Sequence, residues 1–192
     1  MIPTLNQSGV LPPFIPELGP TDPAGMAPYR ASIAEVVKRY GYSEERQVIL
    51  RGLLSYRAKL RSLGITNGFQ WLDGSFVEDV EKSRGRPPND IDIVTFADRP
   101  HDTRDQDQWR ILVSENSDVF IPELSKDAYS CDAYFVDLET PPLHIVNNTK
   151  YWFGLFSHQR ESYLWKGMIE IPLLCNDEEE AQLLLGLEAK NA

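Results

Sequence analysis

Two short stretches decide the fold of this chain: WLDGSFV at residues 71–77 and, after a polar segment with two prolines, NDIDIVTF at residues 89–96. Each contains an apolar run that is typical of a buried strand. Asp90 and Asp92 lie two positions apart, so in a strand both side chains project from one face. The sequence therefore predicts two strands, one ending in a glycine-serine turn and the other opening with paired carboxylates.

The residue types in these stretches predict a particular chemistry. Two carboxylates held close together repel each other, and a hard divalent cation bound through oxygen relieves the repulsion. Gly74 lets the backbone approach phosphate groups, and the Ser75 hydroxyl with nearby amides can bind their oxygens. Either pair alone would more often be a turn or a solvated strand edge. Together they indicate a site for a nucleoside triphosphate on magnesium.

The pattern around these stretches predicts a mixed order of helices and strands, and hence an α/β or α+β fold. Helical spacing of apolar residues, with capping signals at Ser32 and Ser43, predicts a short helix to Gly41 and a longer one to about Gly64. Further helices are predicted at 106–113, at 143–156 and from 178 through an apolar stripe of Leu183, Leu184 and Leu187, and strands at 69–72, 91–96, 133–138 and 163–174.

Residues 1–29 differ from the rest of the chain in composition. They hold seven of the fourteen prolines, and a segment with so few backbone donors favours an extended arm or a partly mobile tail. The LPPF at residues 11–14 is the part expected to dock on the body. We therefore predict an extended proline-rich arm at 1–29 and a single domain at 30–192.

The charge and composition restrict the classes of partner. A formal net charge of −10 disfavours broad binding of duplex nucleic acid and favours small-molecule or protein partners, although a local basic cluster could hold one RNA end. The apolar runs are shorter than the roughly 20 residues of a membrane span, and the first residues lack signal-peptide features. These observations predict a cytoplasmic protein without membrane association. Cys131 and Cys175, each in an apolar strand-like run, are expected to be reduced core thiols.

An apolar strand followed by Gly-Ser, and then Asp-Ile-Asp opening a second strand, resembles the signature of the polymerase-beta-like nucleotidyltransferase superfamily. Most of residues 9–174, including GVLPPF, LDGSFVEDVEKSRGRPPNDIDIV, CDAYFVDL and YWFGLFSH, also resembles an uncharacterised bacterial family of short, single-domain nucleotidyltransferase-like proteins. The resemblance implies a small mixed sheet flanked by helices in the polymerase-beta-like arrangement. It also implies transfer of a nucleoside monophosphate from a triphosphate, expected to be ATP, to a hydroxyl of a protein, an RNA end or a small molecule.

The resemblance further implies a two-metal magnesium site whose third carboxylate comes from a neighbouring strand. Residues 130–138, SCDAYFVDL, offer Asp132 and Asp137, which project to opposite faces of a strand. Asp132 is favoured because it opens the strand. It would join Asp90 and Asp92 as a metal ligand and catalytic residue, and it could also act as general base; Asp137 stays the alternative. The cations that could bind the triphosphate are Lys150, Arg160 and Lys166, each equally explicable as an exposed solubilising charge.

Several parts of the chain have more than one interpretation. The connection between Gly74 and Asp90, fifteen residues long, could be an active-site lid, a partner contact or a solvated excursion. His144 and His158 have no companion at metal-ligand spacing, which favours surface or satisfied histidines. The aromatic residues at 151–156 follow helical spacing, which favours core packing over stacking on a base.

Two alternatives to a nucleotidyltransferase stay open. One is a catalytically silent subunit that keeps the fold and binds a nucleotide or a protein partner encoded nearby, as in a toxin–antitoxin or antiviral phage-defence module. The other is an antibiotic-modifying enzyme with an acidic pocket for an aminoglycoside. The acidic charge and small size favour the first of these, whereas the charge permits the second without indicating it.

Overall fold

Five strands form a mixed sheet at the centre of the computed structural model, which describes residues 1–103, 105–160 and 162–186. They are β1 (Tyr29–Arg30), β2 (Gly68–Asp73), β3 (Ile91–Ala97), β4 (Cys131–Asp137) and β5 (Ile169–Pro172). Their order in the sheet is β1-β5-β2-β3-β4. β2 is antiparallel to β3 and to β5, whereas β1–β5 and β3–β4 are parallel pairs.

Eight α-helices lie in the described residues, and together with the mixed sheet they confirm the predicted α/β (α+β) fold class. They are α1 (Ile33–Tyr40), α2 (Glu44–Ser62), α3 (Val80–Arg84), α4 (Gln106–Glu115), α5 (Ser117–Phe120), α6 (Pro122–Tyr129), α7 (Pro142–Phe156) and α8 (Glu178–Leu184). In the described part of the chain, no helix combines the length and apolar character needed to cross a membrane.

The helix predictions agree with the structure at four places, which are α1, α2, α4 and α7. Ser32 and Glu35 exchange hydrogen bonds with each other's backbone N–H groups, which closes a capping box at the start of α1. The predicted closing helix is α8, and the predicted Leu187 lies outside the described residues. The side chain of Asp177 does not cap α8; its Oδ2 accepts a hydrogen bond from Ala34 N at the start of α1 instead.

Three of the four predicted strands are present as β2, β3 and β4, but the strand predicted at 163–174 is wrong over most of its length. Only β5 belongs to the sheet. The preceding residues turn back on the end of α7: Gln159 N donates to Leu164 O at 2.9 Å and Lys166 N donates to Ser157 O at 2.8 Å. Their backbone groups are therefore satisfied locally, and this turn directs Lys166 towards the end of the sheet.

The two cysteines are free and lie in different environments. Cys131 opens β4 and is buried, as predicted for a core thiol. Cys175 follows β5, is half-buried and belongs to no strand, so the prediction of a strand-like run is wrong there. Its Sγ donates to Pro172 O at 3.2 Å.

The two faces of β3 pack against different parts of the protein, and the aspartates of this region belong to one of them. Ile91 and Ile93 pack into the larger core cluster with α1 and α2, whereas Val94 and Phe96 pack on the other face with Trp152 of α7. Asp90 and Asp92 alternate with the isoleucines, so they belong to the face that α7 covers. Trp152 and Phe156 are buried there, as predicted for core aromatics, while Tyr151 is exposed.

The N-terminal arm packs on the body along its centre but is not extended throughout, because it folds back so that Phe14 forms an antiparallel bridge with Met26. Val10 and Leu11 are fully buried. Leu11 O accepts a hydrogen bond from Gly167 N at 2.8 Å, and Gly9 O accepts one from Asp79 N at 2.8 Å. The predicted docking of the LPPF segment is confirmed for Leu11 and Pro12, whose carbonyl accepts a hydrogen bond from Tyr29 Oη at 2.8 Å.

The connection between Gly74 and Asp90 is ordered into a 3₁₀ turn (Ser75–Val77) and α3. Phe76, Val77, Glu78 and Val80 are buried, so the interpretation as a solvated excursion is wrong for its first half. Residues 82–87 are exposed and fit that interpretation. The buried half joins the cleft described below to the core.

Candidate functional site

Three aspartates lie side by side across neighbouring strands at one end of the sheet. The register pairs Asp73 of β2 with Asp92 of β3, and Asp92 with Asp132 of β4. Residues paired directly across strands project from the same face. Asp90, two positions before Asp92, points to that face as well. The fold thus brings together the predicted Asp90, Asp92 and Asp132 and adds Asp73.

Asp137, the alternative to Asp132, lies at the opposite end of β4. Its register partner is Ala97, the last residue of β3. Arg99 binds its carboxylate, with Nη2 2.7 Å from Oδ2. Asp137 is therefore separated from Asp90 and Asp92 by the length of the sheet and already has a counter-ion.

Gly74 follows β2 and allows Asp92 to lie against the backbone. Its φ is +81°, a region that side chains rarely adopt. A Cβ at this position would lie 2.8 Å from Asp92 Cγ and closer still to Oδ2. Glycine is required here on two independent grounds, the backbone angle and the space taken by the Asp92 carboxylate.

These residues form the wall of a cleft with a volume of about 320 Å³. It contains seven of the predicted site residues, while Lys150 is exposed on α7 and does not line it. The lining residues are Asp73, Gly74, Ser75, Glu78, Arg84, Asp90, Asp92, Lys126, Asp132, Leu155, Phe156, His158, Gln159, Arg160 and Lys166.

Lys166 forms a buried ion cluster beneath the cleft. Its Nζ lies 2.9 Å from Glu78 Oε1 and 3.0 Å from Asp73 Oδ1, and its side chain is 3% exposed. Burial by itself lowers the pKa of Lys166, but the attraction of the two carboxylates outweighs it and raises the pKa. Gln159 Nε2 donates to the other Glu78 oxygen at 2.8 Å. Lys166 is therefore a fixed counter-ion within the wall.

Burial also controls the protonation of Asp73. It raises the pKa of this carboxyl to about 7, against the opposing attraction of Lys166. Asp73 Oδ1 lies at ion-pair distance from Lys166 Nζ but has no hydrogen-bond partner of suitable geometry. One ammonium group shared by two buried carboxyls leaves Asp73 incompletely neutralised.

Asp92 lies at the centre of the carboxylate row. Burial, followed by repulsion from Asp90 and Asp132, raises its pKa to about 6. Lys126 of α6 forms an ion pair with Asp90 at the edge of the cleft. The hydrogen bond that Lys126 donates to the Asp90 carboxylate raises the pKa of Lys126, so its ammonium group stays charged. The site therefore has an acidic centre and a basic edge.

Comparison with known proteins assigns the chain to a family. Residues 3–172 match the Family of unknown function (DUF6932). The chain belongs to this family. No curated protein and no solved structure matches it. In this DUF6932 protein the matched residues include every side chain that lines the cleft and also the docked part of the arm. The family description names no activity.

The donor set of the DUF6932 cleft fits a hard divalent cation. Carboxylate oxygens are the ligands that Mg²⁺ prefers, and the pKa of Asp92 is raised by burial and then by a repulsion from Asp90 and Asp132 that a cation would relieve. Among the described residues, no three Asp, Glu, His or Cys side chains are already arranged as a metal cage. Lys126 binds Asp90 in this arrangement.

Several residues of the cleft were not among the sequence candidates. Asp73 directly precedes Gly74, and its position at the end of a strand is the sequence feature that could have identified it as a site residue. Lys126 belongs to a helix that was not predicted. His158 lines the cleft, and its Nδ1 lies 3.0 Å from Ser157 Oγ. His144 is exposed on α7.

Proposed function

We propose that this protein is a magnesium-dependent nucleotidyltransferase, which transfers a nucleoside monophosphate from a nucleoside triphosphate, expected to be ATP, to an acceptor hydroxyl. The observation that carries this proposal is the register of Asp92 and Asp132 on adjacent parallel strands, with Gly74 against the Asp92 carboxylate. Carboxylates from two strands beside a backbone turn provide both a cation site and room for phosphates.

Asp90, Asp92 and Asp132 would hold magnesium, which supplies neutralisation of the triphosphate and a lower pKa for the acceptor hydroxyl. Asp132 accepts the proton of that hydroxyl. The hydroxyl oxygen forms a bond to the α-phosphorus as the bond from that phosphorus to the bridging oxygen breaks, and pyrophosphate leaves with the electron pair. This assignment gives a role to each predicted carboxylate.

Two exposed arginines of the cleft are suited to bind the phosphates. Arg84 and Arg160 line the cleft, and neither forms an ion pair with another described residue. A guanidinium group donates paired hydrogen bonds to phosphate oxygens. In contrast, Lys166 is held by Asp73 and Glu78, and Lys150 lies outside the cleft. We therefore assign the binding of the triphosphate to Arg84 and Arg160.

The test is label transfer from each α-labelled nucleoside triphosphate, with Mg²⁺ and cell extract as the source of acceptors. Wild type is compared with Asp92→Asn and with the matched control Asp127→Asn, which changes an exposed aspartate of α6 outside the cleft lining. We expect transfer to fall by on the order of a hundredfold or more in Asp92→Asn and to be unchanged in the control. Equal transfer by Asp92→Asn and wild type would exclude this site.

A second function is favoured by one observation. Lys126 and Lys166 already neutralise carboxylates of the cleft, as they would in a protein that binds a nucleotide or a protein partner without catalysis. Such a subunit, for example in a toxin–antitoxin or phage-defence module, would bind triphosphate or retain a partner in a pull-down while transferring no label. Transfer that depends on Asp92 would exclude it.

A further inference from the structure

Lys126 approaches the carboxylates from a helix that is firmly attached to the sheet. The adjacent Ser125 is fully buried, and its hydroxyl donates to Cys131 O at 2.8 Å and accepts from Ala133 N at 3.3 Å. These bonds fix the backbone of α6 beside β4. The side chain of Lys126 is nevertheless 49% exposed, whereas that of Asp90 is 16% exposed. The ammonium group can therefore leave Asp90 without any movement of α6.

The other cations of the cleft do not serve the same carboxylates in the same way. Lys166 is bound by Asp73 and Glu78, and Arg160 is exposed; both attract Asp92, but among the described residues neither forms an ion pair with Asp90, Asp92 or Asp132. Lys126 makes the ion pair with Asp90 and is also attracted by Asp132 and Asp92. It thus supplies a movable positive charge to all three proposed metal ligands.

We propose that Lys126 is a tethered counter-ion that occupies Asp90 in the metal-free protein and is displaced when a divalent cation binds. The inference rests on the proposed function, because it concerns the same three carboxylates. Its consequence is that Lys126 raises the cation concentration needed to load the site, and that it keeps the row of carboxylates stable before loading.

The strength of the ion pair between Lys126 and Asp90 determines how much Lys126 weakens cation binding. A partly exposed ion pair changes an equilibrium constant by no more than about fivefold, because solvent screens it and ordering the side chain costs entropy. Such a pair is strong enough to occupy Asp90 and weak enough to yield to a doubly charged ion. We expect Lys126→Met to lower the dissociation constant for Mn²⁺ by about three- to fivefold.

The experiment measures Mn²⁺ binding to the full chain by the loss of the free-ion electron paramagnetic resonance signal. Lys126→Met is compared with wild type, with Lys126→Arg, which keeps the charge, and with Lys150→Met, which removes a charge from α7 outside the cleft lining. Only Lys126→Met should bind Mn²⁺ more tightly. Equal or weaker binding by Lys126→Met, or the same gain in Lys150→Met, would overturn the inference.

Thermal unfolding gives a second readout that a purely structural lysine would not produce. Without divalent cations, Lys126→Met should unfold at a lower temperature than wild type, because three carboxylates lose a shared counter-ion. Saturating Mn²⁺ should close this gap, since the cation then supplies the charge in both proteins. A gap of the same size at every Mn²⁺ concentration would contradict the inference.

The outcomes separate this inference from the proposed function. If wild type binds Mn²⁺ and loses binding in Asp92→Asn, but Lys126→Met binds no more tightly, the inference fails and the proposed function stands. If neither wild type nor Lys126→Met binds Mn²⁺, both fail. If Lys126→Met binds Mn²⁺ where wild type binds weakly, the competition is established directly.

Discussion

Asp92 and Asp132 are register partners across the parallel strands β3 and β4. Each is the second residue of its strand, so both side chains leave the sheet at the same end and on the same face. An antiparallel neighbour, β2, brings its last residue, Asp73, to the same place. The row of carboxylates therefore follows from strand direction and register, and the chemistry proposed for the cleft depends on that row.

The first prediction concerns Gly74→Ala. The added Cβ would overlap the Asp92 carboxylate, and alanine is strained at a φ of +81°. We expect a loss of stability of about 1–3 kcal/mol in urea unfolding, together with weaker Mn²⁺ binding, because Asp92 must move. Gly154→Ala is the matched control: it lies in α7 with no atom within 4 Å of an added Cβ. The prediction is wrong if both variants behave alike.

The second prediction concerns pH in the absence of divalent cations. The pKa of Asp92 is raised from 3.8 to about 6, so the folded chain binds this proton more tightly than the unfolded chain. The contribution of Asp92 to the free energy of unfolding must then fall as pH rises from about 4 to about 6. The loss is on the order of 3 kcal/mol. Asp73, whose pKa is raised to about 7, extends the fall to about pH 7.

Urea unfolding of wild type and Asp92→Asn across pH 4–7.5 measures this contribution as a difference, which removes the effect of titrating groups that do not interact with Asp92. As pH rises, the free energy of unfolding of Asp92→Asn should increase relative to that of wild type. Asp127→Asn, an exposed aspartate on α6, should run parallel to wild type. Parallel curves for wild type and Asp92→Asn would show that Asp92 is not electrostatically strained.

The sequence predicts some residues of this site and not others. Asp90 and Asp92 could be placed on one face because strand periodicity is local, and Asp132 could be favoured because it opens a strand. Asp73 could not be matched to Asp92, since the register of β2 with β3 is a property of the sheet. The place of Lys126 in the site could not be predicted, because the sequence pattern did not predict its short helix, which begins at Pro122.

Buried charges were the other source of error. Lys166 was predicted as a phosphate ligand or an exposed charge, but the turn before β5 places it under the cleft with Asp73 and Glu78. Nothing in the local pattern predicts that turn, because residues 163–174 alternate as a strand would. Long-range hydrogen bonds to the end of α7 override the local preference.

The third prediction follows from that buried cluster. Lys166→Met removes the shared cation and leaves Asp73 and Glu78 buried without a counter-ion, which should lower the free energy of unfolding by about 3 kcal/mol or more. Adding Glu78→Gln and Asp73→Asn should recover part of the loss, because the triple variant buries no uncompensated charge. Lys150→Met, on the exposed surface of α7, should have no effect in the same urea titration. Equal stability of the single and triple variants would show that the loss comes from packing.

The last prediction separates phosphate binding from stability. Arg84 and Arg160 are exposed in the cleft and make no ion pair with another described residue, although Arg160 attracts the Asp92 carboxylate at longer range, so removing either breaks no ion pair among the described residues. If they bind triphosphate, Arg160→Ala should weaken binding of a nonhydrolysable ATP analogue in calorimetry by about tenfold, the loss expected for a charge-assisted hydrogen bond, while the urea midpoint stays constant.

The control for this prediction is Lys150→Ala, which removes the same charge from a position outside the cleft. It distinguishes a specific contact from the general effect of making an acidic protein more acidic, since the general effect would weaken both variants equally. A loss confined to Arg160→Ala and Arg84→Ala would fix the direction from which the phosphates enter. A loss confined to Lys150→Ala would instead place the triphosphate on α7 and separate it from the carboxylate row.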